Sequence, residues 1–402
     1  MSWPSSRLAD LCDVITKGTT PTTLGFDFSD KGIPFLRVQN IEGGSVNYER
    51  DTLFIDERTH QALERSQIRP GDVLVSIAGT IGRAGVVPQN APPLNCNQAI
   101  AIVRTDGSVF RPFLRHWLES PAAQMEMRGA TVTGTISNLS LTEVGNLRVT
   151  VPPVEDQRRL AAILDQTEAL RAKRRAALAQ LRTLEQAFFF DLFGDPVANP
   201  MGWTRVPFGE LLTKIDSGWS PTCLDRPVAD DEWGVLKLGA VTWCEYNADE
   251  NKALPPNVAP DPELEVKPGD LLFTRKNTYE LVAACALVRA TPPRLMMSDL
   301  IFRFRLRPDA NLDACFLHQL LIYPTKRREI QKLAGGSAGS MPNISKARLE
   351  VLPIEVPPHS IQKDFASRVT AAEKLKTSYR ASLGEMDTLF AALQHRAFRG
   401  EL

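Results

Sequence analysis

The second half of the chain repeats the plan of the first, and the match is tightest across one junction. Gly134-Thr135-Ile136-Ser137-Asn138 leads to Val151-Pro152-Pro153 and then Gln157. Later, Gly339-Ser340-Met341-Pro342-Asn343 leads to Val356-Pro357-Pro358 and then Gln362, and Asn138, Pro153 and Gln157 all recur 205 positions on. Earlier landmarks recur at slightly shorter offsets: Trp3 and Trp203, Gly18 and Gly218, Pro21 and Pro221, Pro70-Gly71-Asp72 and Pro268-Gly269-Asp270. The chain therefore reads as two copies of one unit, a globular block followed by a long helix. A duplicated unit in one polypeptide admits approximate two-fold symmetry, a property shared with duplex DNA.

Each block has enough residues to bury its own core. Hydrophobic content of 43% and charged content of 23% describe a globular protein. No apolar run approaches the roughly 20 residues needed to span a membrane. Met1-Ser2-Trp3-Pro4 has neither a basic nor an apolar leader pattern, so no signal peptide and a cytoplasmic location are expected. Cys12, Cys96, Cys223, Cys244, Cys285 and Cys315 are scattered without a CxxC pair, which favours reduced thiols over a disulfide or metal framework. The five histidines are equally dispersed, and no metal site is proposed from them. Net charge is zero, but binding responds to the local field of one face rather than to the sum. Basic clusters occur at residues 171–175, 303–307 and 326–328, each equally readable as a solvated face.

Both blocks read as mixed α/β. The strand-like runs are 33–38 and 234–238, then 72–77 and 270–274, each of the latter launched by a Pro-Gly-Asp turn, then 99–104 and 300–305. Runs 113–118 and 316–321 follow as helices packed on each sheet. The boundaries fall at 1–150 for the first block, 151–196 for the first long helix, 197–355 for the second block and 356–402 for the second long helix.

The first long helix is expected from about Glu155 to Phe193, after Pro152 and Pro153 and stopped by Gly194 and Pro196. Its stripe is Leu160, Ile163, Thr167, Leu170, Ala177, Leu181, Leu184 and Phe188, with Arg174 filling one position. The second is expected from Ser360, a candidate N-cap, to Ala397, with Phe365, Val369, Ala372, Leu375, Tyr379, Leu383, Met386, Phe390 and Leu393 on its stripe. Alternating steps of three and four are a coiled-coil seam. About 39 residues make a rod of roughly 60 Å, too long to bury its stripe against one block. Each helix is therefore expected to pair antiparallel with the other as a spacer.

No constellation supports catalysis by this chain. Gly79-Thr80-Ile81-Gly82-Arg83-Ala84-Gly85 lacks the Gly-Lys-Ser/Thr of a phosphate loop and misses dinucleotide spacing, so it reads as a turn between strands. Pro260-Asp261 with Glu265-Val266-Lys267 mimics a nuclease signature but is too short to span two strands and their turn. Asn199-Pro200-Met201-Gly202 is not the motif that clamps an adenine amino group.

With these features in hand, the sequence resembles the specificity (S) subunits of type I restriction-modification systems. The resemblance covers essentially the whole chain. It rests on the Pro-Gly-Asp turns, Gly79 to Gly85, Leu147 to Pro153 with Gln157, and the closing Arg396-Ala397-Phe398-Arg399-Gly400-Glu401-Leu402. The second block departs from the pattern: Arg275-Lys276-Asn277-Thr278-Tyr279-Glu280 replaces the Gly-Thr-Ile-Gly turn, which points to a different recognition loop. The implied fold is α+β, with two similar target recognition domains, an internal pseudo-two-fold repeat and two long helices forming an antiparallel coiled coil. The implied partners are double-stranded DNA, two modification (M) subunits using S-adenosylmethionine, and restriction (R) subunits using ATP and Mg. This chain itself is expected to bind no cofactor and no membrane. The strongly repeated junction into each helix is where shared machinery is expected to dock.

On that resemblance, Arg would read guanine edges and Asn or Gln adenine edges, while other basic residues neutralise phosphate. The first-block candidates are Arg37, Gln39, Asn40, Thr80, Arg83, Thr131, Thr133 and Thr135. In the second block they are Lys237, Arg275, Lys276, Asn277, Ser337 and Ser340. Two competing classes are a non-DNA scaffold joining two protein partners, which neutral charge favours and the motifs oppose, and an enzyme with an unrecognised site.

Overall fold

The computed structural model describes residues 3–130, 138–335 and 341–402. It divides into two compact units, Met1–Arg175 with Ala381–Leu402, and Ala176–Arg380. Each unit thus holds one block together with part of each long helix.

In the first unit a six-stranded sheet runs in the order Cys12–Lys17, Ile100–Thr105, Val73–Ser76, Ala84–Val86, Ser45–Val46, Ile41–Glu42. A four-stranded sheet has the order Leu53–Ile55, Ile33–Leu36, Leu94–Cys96, Gln67–Ile68. Its inner pair, Ile33–Leu36 with Leu94–Cys96, is parallel. Val73, Leu74 and Val75 are all buried, as a strand covered on both faces must be. Helices Arg111–Leu118, Pro121–Gly129 and Leu141–Asn146 cover the larger sheet, and Phe113, Leu114 and Trp117 meet Leu160 and Ala161 of the first long helix in one core.

The second unit repeats this plan with fewer strands. Leu212–Ser217, Ile301–Leu306, Leu271–Thr274 and Cys285–Leu287 form one sheet, and Asn251–Ala253, Gly234–Leu236 and Leu295–Met296 another. The parallel pair recurs as Gly234–Leu236 with Leu295–Met296. A short helix, Gly239–Thr242, stands where the first unit has the hairpin Ile41–Val46. Helices Ala314–Ile322, Pro324–Gln331 and Lys346–Glu350 take the places of their counterparts.

The Pro-Gly-Asp turns have one physical basis. Gly71 and Gly269 hold φ of 85° and 95°, where a side chain is strained. The next aspartate accepts the backbone N–H three residues back, Arg69 to Asp72 at 2.8 Å and Lys267 to Asp270 at 2.9 Å. Each carboxylate also meets an arginine on the neighbouring strand, Arg104 in one unit and Arg303 in the other.

The long helices span Val154–Phe193 and His359–Ala397, so Ser360 lies inside the second helix and is not its cap. Among the described residues no helix is long and apolar enough to cross a membrane. Within each unit the helices pair antiparallel. In the first, Arg171 donates to Asp387 at 2.6 Å and lies over the Phe390 ring at 4.4 Å. In the second, Lys376 meets Glu185 at 2.7 Å, while Phe189 and Phe193 pack on Phe365.

The seam differs from the expected one at three positions, each displaced by one residue. Leu160, Phe365 and Val369 are buried, and Ile163, Leu181, Phe188, Leu383, Met386 and Leu393 are half-buried. Leu170, Leu184 and Leu375 are instead exposed, at 47%, 41% and 49%. Their successors face the partner helix: Arg171, Glu185 and Lys376, whose side chains are only 15%, 13% and 2% exposed. Apolar content selected the leucines. Ion pairs across the seam selected the charged neighbours, and such pairs set register in coiled coils.

Gln157 and Gln362, both fully buried, explain the repeated junction. Gln157 accepts the N–H of Phe110 at 2.6 Å and donates to the Pro152 carbonyl at 2.8 Å. Gln362 accepts from Asp313 at 2.8 Å and donates to Pro357 at 2.8 Å. The glutamines tie each long helix to the start of its own block's helix, so these two repeated side chains do internal work rather than forming an external docking surface.

Candidate nucleic-acid interface

In the first unit the glycine loop joins strands Val73–Ser76 and Ala84–Val86. Ser76 is buried, and its hydroxyl accepts the Arg83 N–H at 2.8 Å while donating to the Thr80 carbonyl at 2.5 Å. Gly82 N–H returns to the Ser76 carbonyl at 2.9 Å, and Gly79 and Gly82 hold φ of 73° and 85°. The outcome is a tight loop that leaves Thr80 and Arg83 exposed. The Arg83 guanidinium has no partner among the described residues. A bridge from Ala78 to Asn138 brings the repeated asparagine beside the loop.

The second unit builds a longer loop on the same closure. Thr274, buried at the matching strand end, accepts the Ala284 N–H through its hydroxyl at 2.9 Å and donates to the Leu281 carbonyl at 3.5 Å. Ser76 thus closes seven residues on, and Thr274 ten residues on. Lys276 bridges Asn343, the counterpart of Ala78 with Asn138. Tyr279 projects from the loop, 54% exposed.

The other candidates divide by what already holds them. Gln39 is exposed, and Lys237 and Lys276 are half-buried. Arg37 is also half-buried and donates to the Asp51 carbonyl at 2.8 Å. Asn40 is 2% exposed; its amide donates to Arg50 and Thr52, and its oxygen accepts from Arg37. Asn277 is 6% exposed, donating to Thr242 and accepting from Thr278. Both asparagines act as turn braces, because meeting a base edge would break bonds that are costly to leave unmade in a buried site. Arg275 is tied to Asn343 at 3.1 Å and lies over the Phe302 ring. Thr131, Thr133, Thr135, Ser337 and Ser340 lie outside the described residues.

Sequence reasoning missed the closing hydroxyls, although Ser76 and Thr274 share a place at the end of matching apolar runs. It also missed Trp243, which is 75% exposed. Trp243-Cys244 stands 200 positions after Gly43-Gly44, and Cys244 keeps the left-handed backbone of Gly44, φ 61° against 74°.

One further cluster could hold a cation: the ligand atoms of His116, Asp165 and Glu168 lie within 4.8 Å of one another. The Arg115 guanidinium already sits among them, 2.5 Å from Glu168, while His116 bonds Asp165 at 2.7 Å. A metal ion there would have to displace an arginine.

Residues 2–180 match the family model described as type I restriction modification DNA specificity domain. The chain is 37% identical over 175 residues to the type I restriction enzyme EcoEI specificity subunit of Escherichia coli, covering 43% of this chain and 29% of that one. It is 21% identical over 396 residues to the EcoKI specificity subunit of Escherichia coli strain K12, covering 93% of this chain and 83% of the relative. Among solved structures, a chain from work on assembly and conformational transition of the type I R-M system aligns with TM-score 0.58 at 18% identity, covering 100% of this chain and 98% of that one. The type I S subunit from M. genitalium aligns with TM-score 0.59 at 12% identity, covering 99% and 96%. At those identities the structural likeness shows the fold.

Proposed function

We propose that this chain is a specificity (S) subunit of the type I restriction-modification kind and chooses the DNA sequence on which partner subunits act. Each block reads one half of a bipartite site, and the paired helices set the unspecified gap between the halves. Two M subunits supply S-adenosylmethionine-dependent adenine methylation, and R subunits supply cleavage with ATP and Mg. The chain contributes recognition and no chemistry of its own.

The observation that carries this reading is the pair of loops: one closure, Ser76 or Thr274, holds two loops of different length and different exposed side chains. A common frame with divergent loops is how binding is retargeted without rebuilding a scaffold. Half-sites must be presented about one helical turn of DNA apart, roughly 34 Å, to be met from one side, and a rigid helical pair keeps such a distance where a flexible linker would not. Leu170, Leu184, Phe190, Leu375 and Leu389, exposed on the long helices, supply apolar surface for docking M subunits.

The test is methylome sequencing of cells carrying this chain with its M subunits. Methylated adenines should fall in one bipartite, asymmetric motif; absence of any such motif overturns the reading. Inserting one helical turn, about four residues, beside Ala177 should change the gap or abolish methylation. An unchanged gap would refute the spacer role.

A further inference from the structure

In each unit the loop between the two closing strands is also held from behind, by the helix that starts at a repeated proline. Pro121 and Pro324 open helices Pro121–Gly129 and Pro324–Gln331, and three residues after each proline comes a side chain aimed at the loop. In the first unit it is Gln124, whose amide donates to the Gly82 carbonyl at 2.9 Å, immediately before exposed Arg83. The fit is close: a Cβ on Gly82 would come within 2.3 Å of the Gln124 amide.

In the second unit the matching residue is Arg327. Its guanidinium donates to the carbonyls of Glu280 at 3.2 Å and Leu281 at 3.3 Å. Gln331, one turn on and 9% exposed, donates to Tyr279, Glu280 and Val282, each at 3.2 Å. Four consecutive carbonyls, Tyr279 to Val282, are therefore taken up by two side chains of one helix. Among the described residues, Arg327 bonds these two backbone carbonyls and no carboxylate. A half-buried cation without a carboxylate partner, bonded only to backbone oxygens, is placed to hold a chain path.

We infer that Gln124 in the first unit, and Arg327 with Gln331 in the second, are positioning residues for half-site specificity. They fix the loop path so that the exposed side chains of each loop meet their bases in one register, which recognition requires to within roughly 0.5 Å. The longer loop needs more anchors, and it has two side chains where the shorter has one. This inference rests on the reading that each block reads one half-site.

The experiment compares methylomes of the full chain with its M subunits in four forms: wild type, Gln124→Ala, Arg327→Ala with Gln331→Ala, and Arg327→Gln. The double variant should relax one half of the motif by tenfold or more at one or more base positions and leave the other half intact. Gln124→Ala should relax the opposite half. Arg327→Gln, which installs the first unit's side chain, should restore discrimination relative to the double variant. A motif unchanged in both variants overturns the inference, and so does a uniform fall in methylation at both halves, the signature of a merely structural role. If the double variant fails to fold, Gln124→Ala and the single Gln331→Ala decide by the same criterion, since Gln331 alone holds Tyr279 and Val282. A wild type that directs no bipartite methylation sinks the proposed function instead, so the two failures are distinguishable.

Discussion

The two units place the same carboxylate on the same helical position and then surround it differently. Glu168 in the first unit and Glu373 in the second are 205 positions apart, as are Arg171 and Lys376. In the first unit Arg115 reaches Glu168 at 2.5 Å and Glu119 at 3.3 Å, and its guanidinium lies against Gly44, where a Cβ would sit 1.5 Å from it. The recess left beside it, lined by Gly43, Gly44 and Ala172 among others, holds about 370 Å³. In the second unit His318 stands at the place of Arg115 and is too short to fill the space. A cavity of about 730 Å³ opens there, walled by Trp243, His318, Arg327 and Lys376 among others. Duplication kept the frame, and divergence changed what fills it as well as the loops it displays.

A second contrast lies inside the sheets. Arg303 occupies the place of Ile102: both are fully buried, and each pairs with the matching leucine, Leu272 or Leu74. Arg303 meets Asp216 at 3.0 Å and Asp270 at 3.1 Å, and donates to the carbonyls of Glu263 and Glu265. Burial pushes the Asp216 carboxyl up, but Lys214, Arg305 and Arg303 together outweigh it and hold it at about 2. The first unit solves the equivalent position with apolar packing alone.

The largest effect that would break this contrast is Arg303→Ile, which installs the first unit's residue. It should destabilise the second unit by about 3–5 kcal/mol, because Asp270 is left buried without Arg303 and Asp216 keeps only its outer partners. Adding Asp216→Asn and Asp270→Asn should recover most of that loss. Denaturant unfolding measures both, and a loss below about 1 kcal/mol for the single change would show that Arg303 is not needed where its counterpart is an isoleucine.

The shifted seam is sharpened by a pair of truncations. Leu164, 1% exposed, should cost about 2–5 kcal/mol on truncation to alanine. Leu170→Ala should change the stability of the isolated chain by less than about 0.5 kcal/mol. Equal losses would restore the original seam.

The smallest expected effect is the pH dependence that His318 of the second unit contributes. Burial pulls His318 down to about 4, with Arg289 acting in the same direction, against the carbonyls of Cys244 and Cys285 and the Glu373 carboxylate. Since the unfolded ring protonates near 6.5, the unfolded chain takes up the proton first as pH falls. The contribution is therefore intact above about 6.5, declines below it, and is gone once pH passes about 4, amounting to at most about 3 kcal/mol. Unfolding of wild type and His318→Gln across that window isolates it; identical pH slopes would refute it.

Much of this was readable in advance, and the misses share a cause. The long helices were legible from their periodicity to within one residue at the first end, Val154 against Glu155. Every second seam position on the first helix was also legible, because Leu160, Leu181 and Phe188 are apolar and do face inward. Two of the alternate positions were not, since Leu170 and Leu184 outrank Arg171 and Glu185 in any apolar reading. Only Asp387 and Lys376, some 200 residues away, reveal that the charged neighbours belong inside. Asn40 and Asn277 looked like base readers because their amides suit adenine; the carbonyls and hydroxyls that occupy those amides come from other segments.

The sequence by itself determined the duplication, three matched strand runs and one packed helix in each block, and the existence of two long helices, because these rest on local turn chemistry and on periodicities that each segment carries alone. Tertiary structure decided which helix face is buried, which hydroxyl closes each loop, and whether an arginine or a cavity stands beside the shared glutamate. Those outcomes depend on partners far apart in the chain, where a single side chain such as Arg115 or His318 changes what its neighbours can do.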